Sequence, residues 1–267
     1  MNTIHIERRG KRRYYRAPSE WNELTRRQIF AWCGIVRQAI SVEDALAAAV
    51  LLFYKIPLDL LSWLSPGQRF KLAESLGFLD GENRLTTNVI GRVRLLGRAY
   101  HGPVGRLANV SIGEFRRTEI YYQHWLRSRD PQLLRLLAAT LFRPKGKGGA
   151  DDVRERMVER RINRRARLFR LLHPNWLHAI LLYYEGCRAA VRKLYPRVFV
   201  KATGGDQTDG RPQPWKLVDL DTHILAFSGD KLGTYAETNE VNMHVFFKHM
   251  TQRLEEYDAR QRKGGTV

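Results

Sequence analysis

Cysteine is scarce in this 267-residue chain, with Cys33 and Cys187 the only two. They lie far apart in sequence, in segments that read as helices, and each has apolar neighbours. Two thiols cannot build a disulfide scaffold or a four-cysteine zinc site, so both are expected as buried free thiols in a reducing compartment. Long apolar runs are lacking as well. The longest, ALAAAVLLFY from Ala45 to Tyr54, is about half of the roughly 20 residues that a bilayer-spanning helix needs. It reads as a core helix, and no membrane partner is expected. The opening stretch MNTIHIERRGKRRYY is charged but has no apolar block behind it, so it fits neither a secretory signal nor a membrane anchor. Cytosolic residence is the expectation.

Catalytic signatures are also missing. No serine stands in a G-x-S-x-G elbow, and neither cysteine has the local context of a nucleophile. The glycine- and lysine-rich stretch from Lys145 to Ala150 invites comparison with a phosphate-binding P-loop. It lacks the G-x-x-x-x-G-K-[ST] order, follows a helical pattern instead of a strand, and offers no hydroxyl for magnesium. It reads as a solvated loop. His173 with His178, and His244 with His249, are five residues apart, so neither pair shares a helical face as the ligands of a zinc helix would. On a strand, Asp219, Asp221 and His223 would share one face and suit a divalent ion. In a helix, Asp219 and His223 become an ordinary i, i+4 surface pair, and this is the preferred reading. No catalytic residue, metal or cofactor is assigned, and an enzyme is not expected.

Acidic charge is under-represented. The chain holds 46 Lys and Arg against 27 Asp and Glu, a net charge of +19. The excess is uneven: residues 111–202 carry 21 basic and 8 acidic side chains, whereas residues 203–267 carry 8 and 10. Residues 1–40 carry 9 basic and 3 acidic. A negatively charged partner would therefore be met by one side of the molecule, whether that partner is nucleic acid or an acidic protein surface.

What is present in abundance is helical periodicity. Ile4 and Ile6, a basic glycine-bearing turn, then Tyr14 and Tyr15 predict an N-terminal β-hairpin whose Arg8, Arg9, Lys11, Arg12 and Arg13 are exposed. Beyond it, Thr25, Ser41, Ser65, Ser111 and Asp130 each precede an apolar pattern of period 3.6 and act as helix caps, with Ser111 and Glu114 forming a capping box. The glycine-rich block from Asp80 to Asn109 reads as connecting structure, with an extended segment around Leu85 to Val89. Asn175 is expected to cap a core helix from Trp176 to Leu194, and a last helix is expected from Thr238 to Arg260. The tract from Ala202 to Pro214 reads as a loop. The expected fold is mainly α: about nine helices around a single core, with a short N-terminal β-hairpin. Residues 1–24 form the hairpin and arm, 25–200 the helical domain, and 201–267 a loop and C-terminal helical segment on the same core.

The segment 151–172 predicts the most specific surface. Asp151 and Asp152 suit the positive end of a helix that then becomes strongly basic. At about 100° per residue, Arg156, Arg160, Arg164, Arg167 and Arg170 fall within an arc of about 120°, opposite Val158, Ile162 and Phe169. Arginine forks match phosphate geometry, so this stripe, with the hairpin and with Lys145 and Lys147, could lie along a nucleic-acid backbone. Alternatively it is a solvated face or meets an acidic protein. Tyr121, Tyr122, Trp125, Tyr183 and Tyr184 would stack on bases only if exposed, and their spacing among leucines places them in the core or an interface.

Several phrases together carry a family resemblance: PSEWNELT near the start, GEFRRTEIYY and LLAATLFRPKG in the middle, AILLYYEGCR, and a later W-x-L followed by glycine and a helix. The chain resembles phage and prophage proteins encoded near tail genes, particularly tail assembly chaperones. That resemblance implies a non-enzymatic helical protein that binds tape-measure or other phage structural proteins in the bacterial cytoplasm. It also leaves room for a virion component that touches DNA, and for an oligomer.

Overall fold

The computed structural model describes residues 1–8, 10–39, 41–146, 152–201, 215–217, 220–229 and 232–264. Among the described residues the chain forms eleven α-helices and seven short strands, so the fold is mainly α. Asn2–Arg8 (β1) and Lys11–Ala17 (β2) pair antiparallel around Gly10, whose φ of 71° supplies the left-handed turn that glycine adopts without strain. Thr25 caps Arg26–Gln38 (α1) in a reciprocal box with Gln28. Ser41 caps Val42–Tyr54 (α2). Leu58–Trp63 (α3) follows Pro57, and Ser65 with Gln68 boxes the start of Pro66–Glu74 (α4). Arg92–Leu95 (β3) and Arg98–His101 (β4) form a second hairpin. Ile112–Ser128 (α5) and Pro131–Leu141 (α6) are capped by Ser111 and Asp130. Arg143–Pro144 (β5) adds to β4 and completes a three-stranded sheet of order β3-β4-β5.

Glu159–Phe169 (α7) and Pro174–Leu194 (α8) follow. Phe199–Lys201 (β6) pairs antiparallel with Trp215–Leu217 (β7). Leu220–Phe227 (α9), Tyr235–Glu240 (α10) and Met243–Gly264 (α11) finish the chain. No helix among the described residues is long and apolar enough to cross a membrane.

One connected cluster of buried apolar side chains runs from Ile6 to Met250. Its centre is α8, which buries Ala179, Ile180, Tyr183, Tyr184, Cys187 and Val191 completely. The C-terminal helix joins it through Phe247, whose ring meets Phe115 edge-on at 5.4 Å. Both cysteines are buried free thiols, and burial pushes each thiol up to about 12.

The structure corrects the sequence reading in five places. The extended segment lies at 92–101, not at Leu85 to Val89, because Leu96 and Gly97 both turn at positive φ, 48° and 73°, and close a tight hairpin. Leu96 in that conformation hid the signal. The basic helix begins at Glu159, eight residues later than expected. Before it, the chain runs antiparallel to the segment after α6: Glu155 N donates to Pro144 O at 2.8 Å and Gly146 N to Val153 O at 3.0 Å. The cap of α8 is the His173 side chain, which accepts from Asn175 N. The expected last helix is broken at Val241–Asn242, where the backbone leaves the helix to pair with the start of α5: Ile112 N donates to Val241 O and Met243 N to Val110 O. Ser111 caps α5, but the reciprocal bond from Glu114 is absent because that carboxylate is used elsewhere. The expected loop at Ala202 to Pro214 lies outside the described residues.

Gly186 is where α8 passes closest to the connecting segment, and a Cβ there would run into the backbone of Leu85. Gly186→Ala is expected to lower unfolding stability by about 1–3 kcal/mol. Gly67→Ala, at a helical position with nothing within 4 Å, is expected to raise it by up to about 1 kcal/mol. Urea denaturation of the two variants checks both signs.

Candidate anionic-partner interface

The arginines of the 142–172 segment divide by direction. Arg143, Arg154 and Arg165 point inward and are buried. Arg143 pairs with Glu114 and reaches Asp152 at 3.5 Å. The Arg154 guanidinium donates to Asp152 through Nε at 2.9 Å and through Nη2 at 2.8 Å, and to the carbonyls of Leu141 and Asn109 at 3.0 and 2.9 Å. Its Nη2 also meets Glu114 at 3.3 Å. Arg165 pairs with Glu155 at 3.5 Å. Three buried cations thus face three carboxylates drawn from α5 and from the strand-like segment before α7. Burial lowers the pKa of Arg143, with Glu114 opposing that trend and Arg154 adding to it. Burial likewise lowers Arg165 to about 10 against the pull of Glu155.

The outward set is the expected stripe, shortened and shifted. Arg160, Arg164 and Arg167 are exposed on α7, and Arg170 is its exposed C-cap. Ile162 and Phe169 on the opposite face are buried, the latter edge-on to Tyr100 at 5.1 Å. Among the described residues none of these four arginines has an acidic partner. Arg156 lies before the helix and pairs with Glu240 at 3.3 Å, so it does not belong to the stripe. Arg161, overlooked in the sequence, is exposed but pairs with Glu155 at 3.1 Å.

The N-terminal hairpin does not extend this surface. It packs on α2, whereas α7 packs on α6. Arg8 is half-buried, pairs with Asp59 at 3.3 Å, and Arg12 pairs with Glu7 at 3.4 Å. Lys11 and Arg13 are exposed beside a groove of about 390 Å³ that also holds Asp59. Lys145 is exposed in a bridge opposite Arg154. Arg9 and Lys147 lie outside the described residues.

The aromatics expected in the core or an interface are inside: Tyr122, Trp125, Tyr183 and Tyr184 are buried and Tyr121 is half-buried. Tyr184 belongs to a second buried ionic group, in which it donates to Glu119 at 2.7 Å while Arg188 grips the same carboxylate with Nε at 2.8 Å and Nη2 at 2.7 Å. Asp221 and His223 lie on the short helix α9, with Asp221 paired to Arg116, and Asp219 is outside the described residues. Among the described residues no three His, Cys, Asp or Glu side chains gather as a metal site requires.

A different surface flanks α2. One groove, about 530 Å³, is lined by Trp32, Val36, Val42, Leu46 and Leu79, and a second, about 370 Å³, by Leu46, Val50, Leu61 and Phe70. Leu46 is common to both. In the first groove Val36 and Val42 are 52 and 50% exposed, and in the second Phe70 is 69% exposed, large values for apolar side chains. Glu43, Glu74 and Asp80 line the second groove against a single cation, Arg69. On a chain of net charge +19 this rim is locally acidic.

Sequence reasoning missed the inward arginines because burial of a guanidinium depends on a carboxylate distant in the chain. One signal was available: Glu114 sits in the first turn of an apolar helix at a position that could equally serve the cap or a buried cation. Scans against protein-family models, curated proteins and solved structures each return no match.

The inward and outward arginines are expected to respond oppositely to substitution. Glu114→Gln leaves buried cations in excess and is expected to cost about 3–5 kcal/mol. Arg164→Gln, on the exposed face, is expected to change stability by no more than about 0.5 kcal/mol. Chemical denaturation at neutral pH separates the two.

Proposed function

We propose that this chain is a non-enzymatic assembly protein of the phage tail or virion type, which acts by binding a partner protein on the paired grooves flanking α2. The observation that carries this reading is the apolar strip formed by the two grooves that share half-buried Leu46, with Val36 and Val42 exposed in one and Phe70 exposed in the other beside Glu43, Glu74 and Asp80. Apolar grooves of this kind accept an amphipathic helix, and the acidic rim selects one whose apolar face is flanked by Lys or Arg. The phage-like phrases in the sequence supply the partner class, a tape-measure or other structural protein of the same particle. The apolar strip and the arginine face lie on different elements, so the two surfaces can be tested separately.

A second reading is supported by the four outward arginines of α7, which have no acidic partner among the described residues. On this reading they track a nucleic-acid backbone and contribute salt-dependent affinity without sequence preference.

Co-expression with a phage tape-measure protein, chosen from the genes beside this one where they include it, tests the first reading. The wild type is expected to co-purify with it and keep it soluble. Val36→Asp with Phe70→Asp, both at exposed positions, is expected to abolish co-purification, whereas Arg160→Gln with Arg164→Gln is not. Retention of the partner by the Val36/Phe70 variant would overturn this reading. For the second reading, a mixed-sequence duplex is titrated across a salt series. The Arg160→Gln, Arg164→Gln, Arg167→Gln variant is expected to flatten the plot of log affinity against log salt, by about 0.9 of a unit for each phosphate that is no longer neutralised. An unchanged slope, or no wild-type binding at low salt, would retire it.

A further inference from the structure

A cleft of about 300 Å³ is lined by Arg26, Arg92, Val93, Arg94, Leu172 and Trp176, three cations without one acidic side chain. Four separate stretches of the chain meet there: the first residue of α1, strand β3, the turn after α7, and the first turn of α8. Arg26 is held in place by its ring contact, its guanidinium lying over the Trp176 indole at 4.5 Å. Trp176 is itself backed by Phe30 at 4.7 Å. Arg92 and Arg94 are alternate residues of β3 and therefore stand on one face of the sheet, opposite to Val93, which is buried. Among the described residues none of the three arginines has a carboxylate partner.

The setting sharpens the imbalance. Helix α1 has no acidic residue in its first turn, and both Arg26 and Arg27 occupy it, at the end where the helix dipole is already positive. Partial burial, and after it the charges of Arg92 and Arg94, lower the pKa of Arg26 from its ordinary value. Elsewhere in this chain converging arginines are answered by carboxylates, as Arg143 and Arg154 are by Glu114 and Asp152. Here no described residue supplies the answering charge.

We propose that the cleft of Arg26, Arg92, Arg94 and Trp176 is a binding site for a phosphate group. Guanidinium forks match phosphate oxygens in pairs, and three around one concavity supply more donors than a carboxylate can accept. The Trp176 face is occupied by Arg26, so the ring positions the cation and does not stack on a base. The phosphate could be a free or terminal monoester or a diester of a nucleic-acid strand, and the two sources share the same recognition chemistry. The site rests on neither the α2 grooves nor the α7 face.

Titration calorimetry at constant ionic strength, set with chloride, tests it with three probes: inorganic phosphate, a 5′-phosphorylated hexathymidylate, and the same hexamer without terminal phosphate. Wild type is expected to bind at least one probe saturably, and Arg92→Gln with Arg94→Gln to weaken that binding by at least about tenfold. Arg26→Gln, which leaves β3 intact, is expected to weaken it as well, while Lys248→Gln, at an exposed position of α11, retains wild-type affinity. Binding of the unphosphorylated hexamer that depends on Arg92 and Arg94 identifies the diester, and binding confined to the other two probes identifies the monoester. Thermal midpoints in phosphate-free chloride verify that the variants are folded. No saturable binding of any probe, undiminished binding by both cleft variants, or equally tight binding of oligoglutamate would overturn the proposal.

Discussion

The fold depends on the pairing of two buried arginines with the carboxylate of Glu114. Arg143 and Arg154 come from either side of the 147–151 segment and are 1 and 2% exposed, while Glu114 begins α5 and Asp152 completes the set. A guanidinium cannot be buried alone, because loss of hydration costs several kcal/mol per ion unless charge and hydrogen bonds replace the water. Once these groups are inside, the chain has little freedom. Residues 152–155 must lie antiparallel to 143–146, β5 is brought to the edge of β4, and α7 is delayed to Glu159. The same junction touches the C-terminal part, since Val110 and Ile112 pair with the break between α10 and α11.

That constraint also explains why a strongly basic segment is only partly a basic surface. The cations taken inside are compensated one for one, whereas Arg160, Arg164 and Arg167 on the outer face of α7 have no acidic partner among the described residues. The same contrast holds between the Glu119–Arg188 pair, closed and buried, and the cleft of Arg26, Arg92 and Arg94, which is open and has no acidic residue among its described lining. Two kinds of surface follow from one composition: an apolar strip beside α2 with an acidic rim, and arginines that face solvent. The first offers contact area and the second long-range attraction.

Most of the helices were legible because their information is local. Thr25, Ser65 and Asp130 each announce a first turn, Pro66 and Pro131 sit where a helix tolerates proline, and the apolar spacing that follows sets the buried face. The N-terminal hairpin was legible for the same reason. What failed was set by distant partners. The start of α7 is decided by Glu114, some forty residues away, and the division of the last helix by backbone pairing with Val110 and Ile112. The β3–β4 hairpin was hidden because its turn uses Leu96 where asparagine or glycine would be expected. Of the candidate site, Arg160, Arg164, Arg167 and Arg170 stand on the exposed face as the helical period requires, Arg156 was misassigned with the helix start, and the Arg26 cleft joins stretches no sequence window contains.

The division of arginines into an inward, paired set and an outward, unpaired set can be observed directly. Native protein is treated with phenylglyoxal for increasing times and the modified arginines are counted residue by residue by mass spectrometry. The account requires Arg160, Arg164, Arg167 and Arg170 to react early, and Arg143, Arg154 and Arg188 to stay protected until denaturant unfolds the chain. Modification of Arg143 or Arg154 in the native protein at the rate of Arg164 would contradict it.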